Sequence, residues 1–255
     1  MSQLLTLQQQ GRVAIVTLCR PPANALNHAF MAEMCTLLPR LRSPEIGAVI
    51  LTAEGRFFSA GLDLFEVFSY SPEQGAAFAT AFDDAITGFF ALPMPLIAAI
   101  NGHAVAGGTV LAATADFRLI ADGEAKMGLT EIQVGVPFPA SAMEAVRYAC
   151  AGPHLTEVLL RGQTYLPKEA VARRLADEVV PAAELMPRAL KLAEELAGRL
   201  PVAVAPTKLA LRTDALAKMA AARASGADPT WNIWRSQEVR AAMDAYRNKL
   251  SSKSR

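Results

Sequence analysis

Cysteine is scarce in this chain, and its three cysteines lie far apart in the sequence. Cys19, Cys35 and Cys150 fit neither a disulfide framework nor a paired zinc-ligand pattern. We therefore expect three buried, reduced thiols in a reducing compartment. The first residues also lack the basic stretch and the long apolar run of a signal peptide, so the expected location is cytoplasmic.

An excess of charge of one sign is also missing, since 25 Lys and Arg balance 24 Asp and Glu to a formal net charge of +1. No block of like charges precedes the short basic tail at residues 249–255, so the chain offers no basic stripe to a polynucleotide. His28, His103 and His154 do not have the spacing of metal ligands. We expect neither a nucleic-acid partner nor a metal.

Asp, Glu, Lys and Arg are absent from residues 85–115, a stretch that is long enough to span a bilayer. Pro93, Pro95, Asn101 and the glycine pair at 107–108 interrupt it, and the apolar runs between them are too short to cross. The stretch therefore predicts a buried strand, a turn and a buried helix, with no membrane partner.

Apolar runs typical of strands alternate with helical patterns up to about residue 150, and this alternation predicts an α/β fold with mostly parallel strands. After Gly152 the pattern is almost wholly helical, with breaks expected at Pro201, Pro206 and residues 225–229. The chain thus divides into a core at 1–200 and a helical segment at 201–255. We predict strands at 13–19, 48–52, 96–100, 117–120 and 178–180, and helices at 28–41, 72–91, 107–114, 140–149, 155–161, 168–175, 183–200, 206–223 and 230–250.

Two glycine-bearing turns, at residues 58–64 and 101–109, indicate the chemistry of the chain. Each follows an apolar, strand-like run and leads towards a helix, so each can present backbone N–H groups. Two such donors that meet at one point form an oxyanion hole, the device that stabilises negative charge on a reacting oxygen. A single motif of this kind would indicate only a tight turn. Two of them, together with Glu131 further on, favour a catalytic site.

These turns read Phe58-Ser59-Ala60-Gly61-Leu62-Asp63-Leu64 and Asn101-Gly102-His103-Ala104-Val105-Ala106-Gly107-Gly108-Thr109. Together with Ala115-Asp116-Phe117-Arg118 and Leu129-Thr130-Glu131-Ile132-Gln133-Val134-Gly135, they resemble the crotonase superfamily of enoyl-CoA hydratases and isomerases, in order and in spacing. The resemblance implies a spiral of ββα units followed by a helical trimerisation region, and a homotrimer or a dimer of trimers. It also implies an acyl-CoA thioester as substrate and no separate cofactor, because coenzyme A is part of the substrate.

The resemblance also assigns roles to single residues. The backbone N–H groups of Leu62 and Gly107 would form the oxyanion hole, and Glu131 would be the catalytic base, with a pKa raised by apolar walls. The alternative for Glu131 is a carboxylate that caps the start of a helix. Substrate-binding or CoA-binding positions by the same resemblance are Ala23, Ala25, Ala60, Gly61, Asp63, Leu64, Gly108 and Thr130.

Three further side chains carry weaker expectations. Asp63 occupies a position that is usually structural in the family, where its carboxylate bonds local backbone. Arg20 is a candidate phosphate contact, although an Arg at a strand end is often merely solvated. Tyr246 and Lys249 are candidates to reach the CoA of a neighbouring subunit.

One departure from the family pattern decides between two reactions. Enoyl-CoA hydratases resemble this chain but carry a second glutamate where Val110 stands, and the two carboxylates together activate water. A lone base can still move a proton from C2 to C4, so the sequence predicts a Δ3,Δ2-enoyl-CoA isomerase. Glu66, Asp122 or Glu124 could supply the missing carboxylate, and hydration therefore stays open, as does a non-catalytic acyl-CoA-binding protein.

Overall fold

The computed structural model describes residues 4–224 and 228–253, with side chains up to residue 246. Part of the expected break at 225–229 and the side chain of Lys249 therefore lie outside the described residues.

Ten strands in the described part of the chain build two sheets. They are β1 (Leu5–Gln10), β2 (Val13–Leu18), β3 (Ala48–Ala53), β4 (Phe57–Ser59), β5 (Leu96–Ile100), β6 (His103–Val105), β7 (Phe117–Ala121), β8 (Met127–Gly128), β9 (Thr164–Tyr165) and β10 (Glu178–Val180). The larger sheet has the order β1-β2-β3-β5-β7-β10, and the smaller one has the order β4-β6-β8-β9.

The two sheets are linked by a repeated connection. In the larger sheet β1 and β2 are antiparallel, and the other neighbours are parallel. The chain leaves this sheet after β3, β5 and β7, and each time the next strand, β4, β6 or β8, enters the smaller sheet. After β4 and β6 a helical stretch returns the chain directly to the larger sheet, whereas after β8 the chain first adds β9 to the smaller sheet and then reaches β10. These are ββα units, and they confirm the α/β fold with mostly parallel strands.

Eleven α-helices complete the described chain. They are α1 (His28–Leu41), α2 (Leu64–Val67), α3 (Pro72–Phe90), α4 (Gly107–Ala113), α5 (Ala140–Ala149), α6 (Leu155–Arg161), α7 (Pro167–Ala172), α8 (Leu185–Ala197), α9 (Pro201–Ala224), α10 (Thr230–Ile233) and α11 (Gln237–Lys253), with short 3₁₀ helices at Glu131–Val134 and Ala182–Glu184.

Side chains of the larger sheet alternate between two apolar layers. In β3, Val49 and Leu51 belong to the main core with the helices α1 and α3, whereas Ala48 and Ile50 face the layer that α8 covers. This period of two is what a strand buried on both faces requires. The uncharged stretch at 85–115 accordingly forms the end of α3, β5, β6 and α4, all of them largely buried. In the described ranges no helix is both long and apolar enough to cross a bilayer.

Several predicted elements have the predicted bounds, among them the strand at 96–100 and the helices at 28–41 and 140–149. The predicted helix at 230–250 is wrong in one respect, because it consists of two helices, α10 and α11. Pro206 does not interrupt a helix, since it lies inside α9. A proline in the second turn removes one backbone hydrogen bond, and the helix continues because the following turns are bound to the core.

Of the cysteines, only Cys150 is buried, whereas Cys19 and Cys35 are half-buried free thiols. The expectation of three buried thiols is therefore wrong for two of them. Burial raises the pKa of the Cys150 thiol to about 11.

An ionic cluster fastens α9 to the core. Asp116, which follows α4, accepts hydrogen bonds from Lys208 Nζ and from an Arg212 guanidinium nitrogen, each at 2.6 Å. It also accepts one from the Leu96 N–H at 2.8 Å. The Arg212 side chain is only 1% exposed, so the segment that follows residue 200 is tied to its own core by charges that water hardly reaches.

We predict that Asp116→Asn destabilises the fold by about 3–5 kcal/mol, because it leaves two buried cations without a counter-charge. Urea-induced unfolding, followed by circular dichroism, measures the change. The control is Glu195→Gln, which removes an exposed ion pair with Arg199 and should cost less than about 1 kcal/mol. Equal effects of the two substitutions would contradict this account of α9.

Candidate active site

Three short neighbouring strands of the smaller sheet aim the candidate site residues at one place. β4 and β8 both pair with β6 in parallel. The carboxyl ends of parallel strands lie at the same edge of a sheet, so the segments that follow them meet there. These segments contain Leu62 after β4, Gly107 after β6 and Glu131 after β8. The sequence predicts that each glycine turn directly follows a long apolar strand. In the structure, the short strands β4 and β6 come between the long strands β3 and β5 and the turn residues Leu62 and Gly107.

Contact between the first two segments depends on glycine. Gly61 has a φ of +83°, and a Cβ placed there would lie 2.9 Å from the Val105 carbonyl oxygen and 3.0 Å from the Gly107 nitrogen. Any other residue would be strained at this φ and would press on the Gly107 N–H. Gly61 thus lets the two turns touch.

The second close approach involves Gly108. A Cβ at Gly108 would lie 2.2 Å from the Ser59 carbonyl oxygen, so the absence of a side chain lets the start of α4 pack on the first turn. Ala106, just before α4, has the unusual φ of +50°, and its N–H donates to the Gly128 carbonyl oxygen at 2.8 Å. The backbone is therefore held in a rare conformation where it presents the Gly107 N–H, as is common at functional sites.

Two backbone donors are available at this point. The Gly61 carbonyl accepts from the Leu26 N–H and the Asp63 N–H donates to the Leu26 carbonyl, so the Leu62 N–H between them faces the opposite side. The Gly107 N–H is the first of α4, where helix geometry provides no partner. Within the described residues, neither N–H donates to an acceptor. The pair has the form of an oxyanion hole.

The segment that precedes α1 lies beside the first turn. The Ala60 N–H donates to the Ala23 carbonyl at 2.9 Å, and an Arg20 guanidinium nitrogen donates to the Ala25 carbonyl at 2.8 Å. The structure thus brings together the two segments at 20–27 and 60–64.

The charged groups of the first turn bind one another. Arg20 forms an ion pair with Asp63 at 2.8 Å, and the Asp63 carboxylate caps α2 by accepting the Glu66 N–H at 3.2 Å. Glu66 accepts hydrogen bonds from Asn27 at 2.8 Å and from the Tyr70 hydroxyl at 2.7 Å. Arg20 is therefore engaged within the protein rather than free for a phosphate.

A cavity of about 100 Å³ opens beside the two donors. Six predicted positions, namely Ala60, Leu62, Leu64, Gly107, Thr130 and Glu131, line it. Ala23, Ala25, Gly61, Asp63 and Gly108 support these residues from behind and are not part of the lining. Ten positions that were not among the predicted site residues complete the walls, and they are Phe82, Val105, Ala106, Val134, Val136, Phe138, Pro139, Ala142, Trp231 and Trp234. Val110 and Tyr246 also line the cavity.

Glu131 is the first residue of the 3₁₀ helix and is 8% exposed. Its Oε2 atom is buried and has no hydrogen-bond partner among the described residues. Burial disfavours the charged form and raises the pKa of Glu131 to about 8. A carboxyl group with this pKa can both accept and return a proton near neutral pH.

Within the described lining, Glu131 is the one carboxylate. Val110 is 1% exposed and supplies only an apolar surface. Glu66 is bound elsewhere, and Asp122 and Glu124 are exposed in the turn after β7.

His103 accepts the Lys126 N–H through Nδ1 at 3.0 Å and packs on Phe57 outside the cavity. The described residues hold no group of three or more His, Cys, Asp or Glu side chains arranged for a metal ion.

A family model described as enoyl-CoA hydratase/isomerase matches residues 8–254. The chain belongs to this family. It is 35% identical over 210 residues to the carnitinyl-CoA dehydratase of Proteus mirabilis, which covers 82% of this chain and 80% of that protein. Its identity to the carnitinyl-CoA dehydratase of Escherichia coli K12 is 33% over 215 residues, or 84% and 82% of the two chains.

Solved structures agree with this family. Human mitochondrial Δ3-Δ2-enoyl-CoA isomerase superposes with a TM-score of 0.93 at 25% identity, over 98% of this chain and 99% of that one. A probable enoyl-CoA hydratase of Mycobacterium tuberculosis, with a TM-score of 0.83 at 24% identity, covers 92% of this chain and 100% of its own and shows the same fold. The crotonase fold predicted from the sequence is thus confirmed, and the protein is an acyl-CoA enzyme of this family.

We predict that at alkaline pH the folded state of the Glu131→Gln variant is more stable than that of the wild type. The folded pKa of Glu131, about 8, lies above the ordinary value of 4.5, so the unfolded chain loses this proton first. Wild-type stability should therefore fall as the pH rises from about 4.5 to about 8, whereas an amide does not titrate. Thermal unfolding at pH 5 and at pH 9 measures the difference between the two proteins. A constant difference would contradict the buried, unpaired carboxylate.

Proposed function

We propose that this enzyme shifts the double bond of a 3-enoyl-CoA to give the 2-enoyl-CoA. The observation that carries the proposal is a single buried carboxylate, Glu131, in a cavity with two free N–H donors and the apolar Val110. One base and one oxyanion hole are the groups that a proton shift between two carbons next to a thioester requires.

The reaction divides into two proton transfers. Glu131 removes a proton from C2, the C2–H electron pair forms the C1=C2 bond of a dienolate, and the C1=O π pair moves onto the thioester oxygen, which becomes negative. The N–H groups of Leu62 and Gly107 stabilise that oxygen, and one such donor is typically worth about 2.7–4 kcal/mol of the barrier. Glu131 then returns its proton to C4. Substrate and product have the same composition, so the reaction consumes no co-reactant.

The apolar walls support isomerisation over hydration. Addition of water to C3 needs a group that positions the water, and in the hydratases that this chain resembles a second glutamate does so. Val110 has no polar atom, and its side chain fills that place. Dehydration, the reaction named for the relatives at 33–35% identity, similarly needs an acid for the leaving hydroxyl. These relatives make a hydratase or dehydratase the second candidate, and a non-catalytic acyl-CoA-binding protein the third.

We further propose that CoA lies along the segments at 20–27 and 60–64, and that the enzyme is a trimer or a dimer of trimers. Support for assembly comes from large apolar side chains that α9 and the residue before it expose to solvent. Leu200, Val202, Leu209 and Leu211 are 71%, 78%, 58% and 66% exposed, and apolar surface of this extent is typical of an interface. The segment at 201–255 would then both close the site and join subunits.

Incubation with 3-hexenoyl-CoA and, separately, with 2-hexenoyl-CoA tests the reaction. We predict rapid formation of 2-hexenoyl-CoA from the first and little 3-hydroxyacyl-CoA from the second, both followed by chromatography of the products.

Glu131→Gln should lose about 10²–10⁴-fold in turnover, and Val110→Glu should raise hydration relative to isomerisation. Efficient hydration by the wild type would exclude this proposal in favour of a hydratase.

A matched pair of glycine substitutions tests the oxyanion hole. Gly61→Ala places a methyl group 3.0 Å from the Gly107 nitrogen, whereas Gly55→Ala, at an almost equal φ of +81°, meets nothing within 4 Å. Both share the backbone strain. We predict that Gly61→Ala alone lowers kcat, by about 10²–10³-fold if one donor is lost. Similar kcat values for the two folded variants would remove the Gly107 N–H from the mechanism.

A further inference from the structure

A second cavity of about 70 Å³ lies behind the active-site cavity. Its lining includes Phe68, Tyr70 and Phe78, together with Arg235 and Arg240. The two cavities share two residues, Trp231 and Trp234, which therefore form the wall between them. We call this pair the tryptophan wall.

The tryptophan wall is continuous and closely packed. Its two rings have centroids 5.0 Å apart, and the residues are only 4% and 8% exposed. On the active-site side, Phe82 meets Trp231 edge to face at 5.6 Å. On the far side, Phe78 meets Trp231 at 6.0 Å and Phe68 stacks on Trp234 at 6.2 Å. Edge-to-face and offset-stacked contacts of this kind are the arrangements that aromatic side chains prefer.

Hydrogen bonds fix both rings in place. The Trp231 Nε1–H donates to the Asp83 carboxylate at 3.1 Å, and the Ser141 hydroxyl donates to the same carboxylate at 2.5 Å. The Trp234 Nε1–H donates to the Pro137 carbonyl oxygen at 2.9 Å. Movement of either indole would break a largely buried hydrogen bond, so the wall is a fixed partition.

The tryptophan wall lines the same cavity as the oxyanion donor Gly107. In α4, Val110 lies three residues, or about 4.5 Å, beyond the oxyanion donor Gly107. The helix α4 packs on α5, and Val110 of α4 and Ala142 of α5 line the same cavity as Phe82 and Trp231. The acyl chain of a thioester held at Gly107 would therefore occupy a cavity whose walls include Val110, Phe82 and the tryptophan wall.

We infer that the tryptophan wall ends the acyl pocket and restricts this enzyme to short- and medium-chain acyl-CoA substrates. The inference rests on the proposed function for the position of the thioester. A chain longer than the pocket meets two hydrogen-bonded indoles, and the space behind them becomes accessible only if an indole is removed.

The test compares Trp234→Ala, which joins the two cavities, with Trp234→Phe, which keeps a ring in the wall. The substrates are 3-hexenoyl-CoA and 3-dodecenoyl-CoA, and the measured quantity is the ratio of their kcat/KM values. We expect the wild type and Trp234→Phe to prefer the shorter substrate. Trp234→Ala should shift the ratio towards the longer one by about tenfold or more, which is within the range by which pocket walls discriminate chains.

A binding measurement separates this inference from the proposed reaction. Calorimetric titration with hexanoyl-CoA and dodecanoyl-CoA reports chain-length preference without turnover, and it should show the same shift in the ratio of Kd values. A wild type that binds or converts both lengths equally well would overturn the inference while leaving the isomerase proposal intact. The absence of any double-bond shift, with the length preference retained in binding, would overturn the isomerase proposal alone. If Trp234→Ala does not fold, Trp234→Leu and the wild-type length profile decide the question.

Discussion

Backbone contact between two turns is the constraint on which the rest of this structure depends. The start of α4 can pack on the turn after β4 only because Gly108 has no side chain to meet Ser59, and Gly61 has none to meet Gly107. Nothing larger fits at either contact. Because the two turns are in contact, two N–H groups from different ββα units lie at one cavity, where a single anionic oxygen can accept a hydrogen bond from both. The ion pairs and caps of the first turn, with Arg20 on Asp63, keep that geometry in place.

The sequence predicted the chemistry of the site better than its walls. Glycines at contact points and a carboxylate in an apolar segment leave local patterns that one chain can display, and the family resemblance based on these patterns indicated Glu131 and Gly107, which the structure places in one cavity. The strands that aim them, β4, β6 and β8, have only two or three residues each, too few for a periodic pattern to emerge. Trp231 and Trp234 reach the cavity through packing over a distance of about a hundred residues in sequence. No local pattern encodes such a contact, and the pairing of Arg20 with Asp63 was missed for the same reason.

The cavity also shows how function opposes stability. A carboxylate without a partner is costly in an apolar environment, and a protein selected for stability alone would replace Glu131 by an amide or an apolar residue. The large, well-packed core compensates for that cost in stability. The ionic cluster of Asp116, Lys208 and Arg212 holds the long helix α9 on this core. The result is a carboxyl group whose raised pKa derives from burial rather than from a charged neighbour.

Trp231, Trp234 and Tyr246 belong to the last helices of the chain, whereas the oxyanion donors and Glu131 belong to its first half or just beyond it. On the ribosome, the catalytic groups are therefore synthesised well before the residues that cover them. Trp231, Trp234 and Tyr246 line the cavity that also contains Glu131, and α11 packs on the 3₁₀ helix that begins at Glu131. The walls of this cavity are therefore complete only when the C-terminal residues have docked.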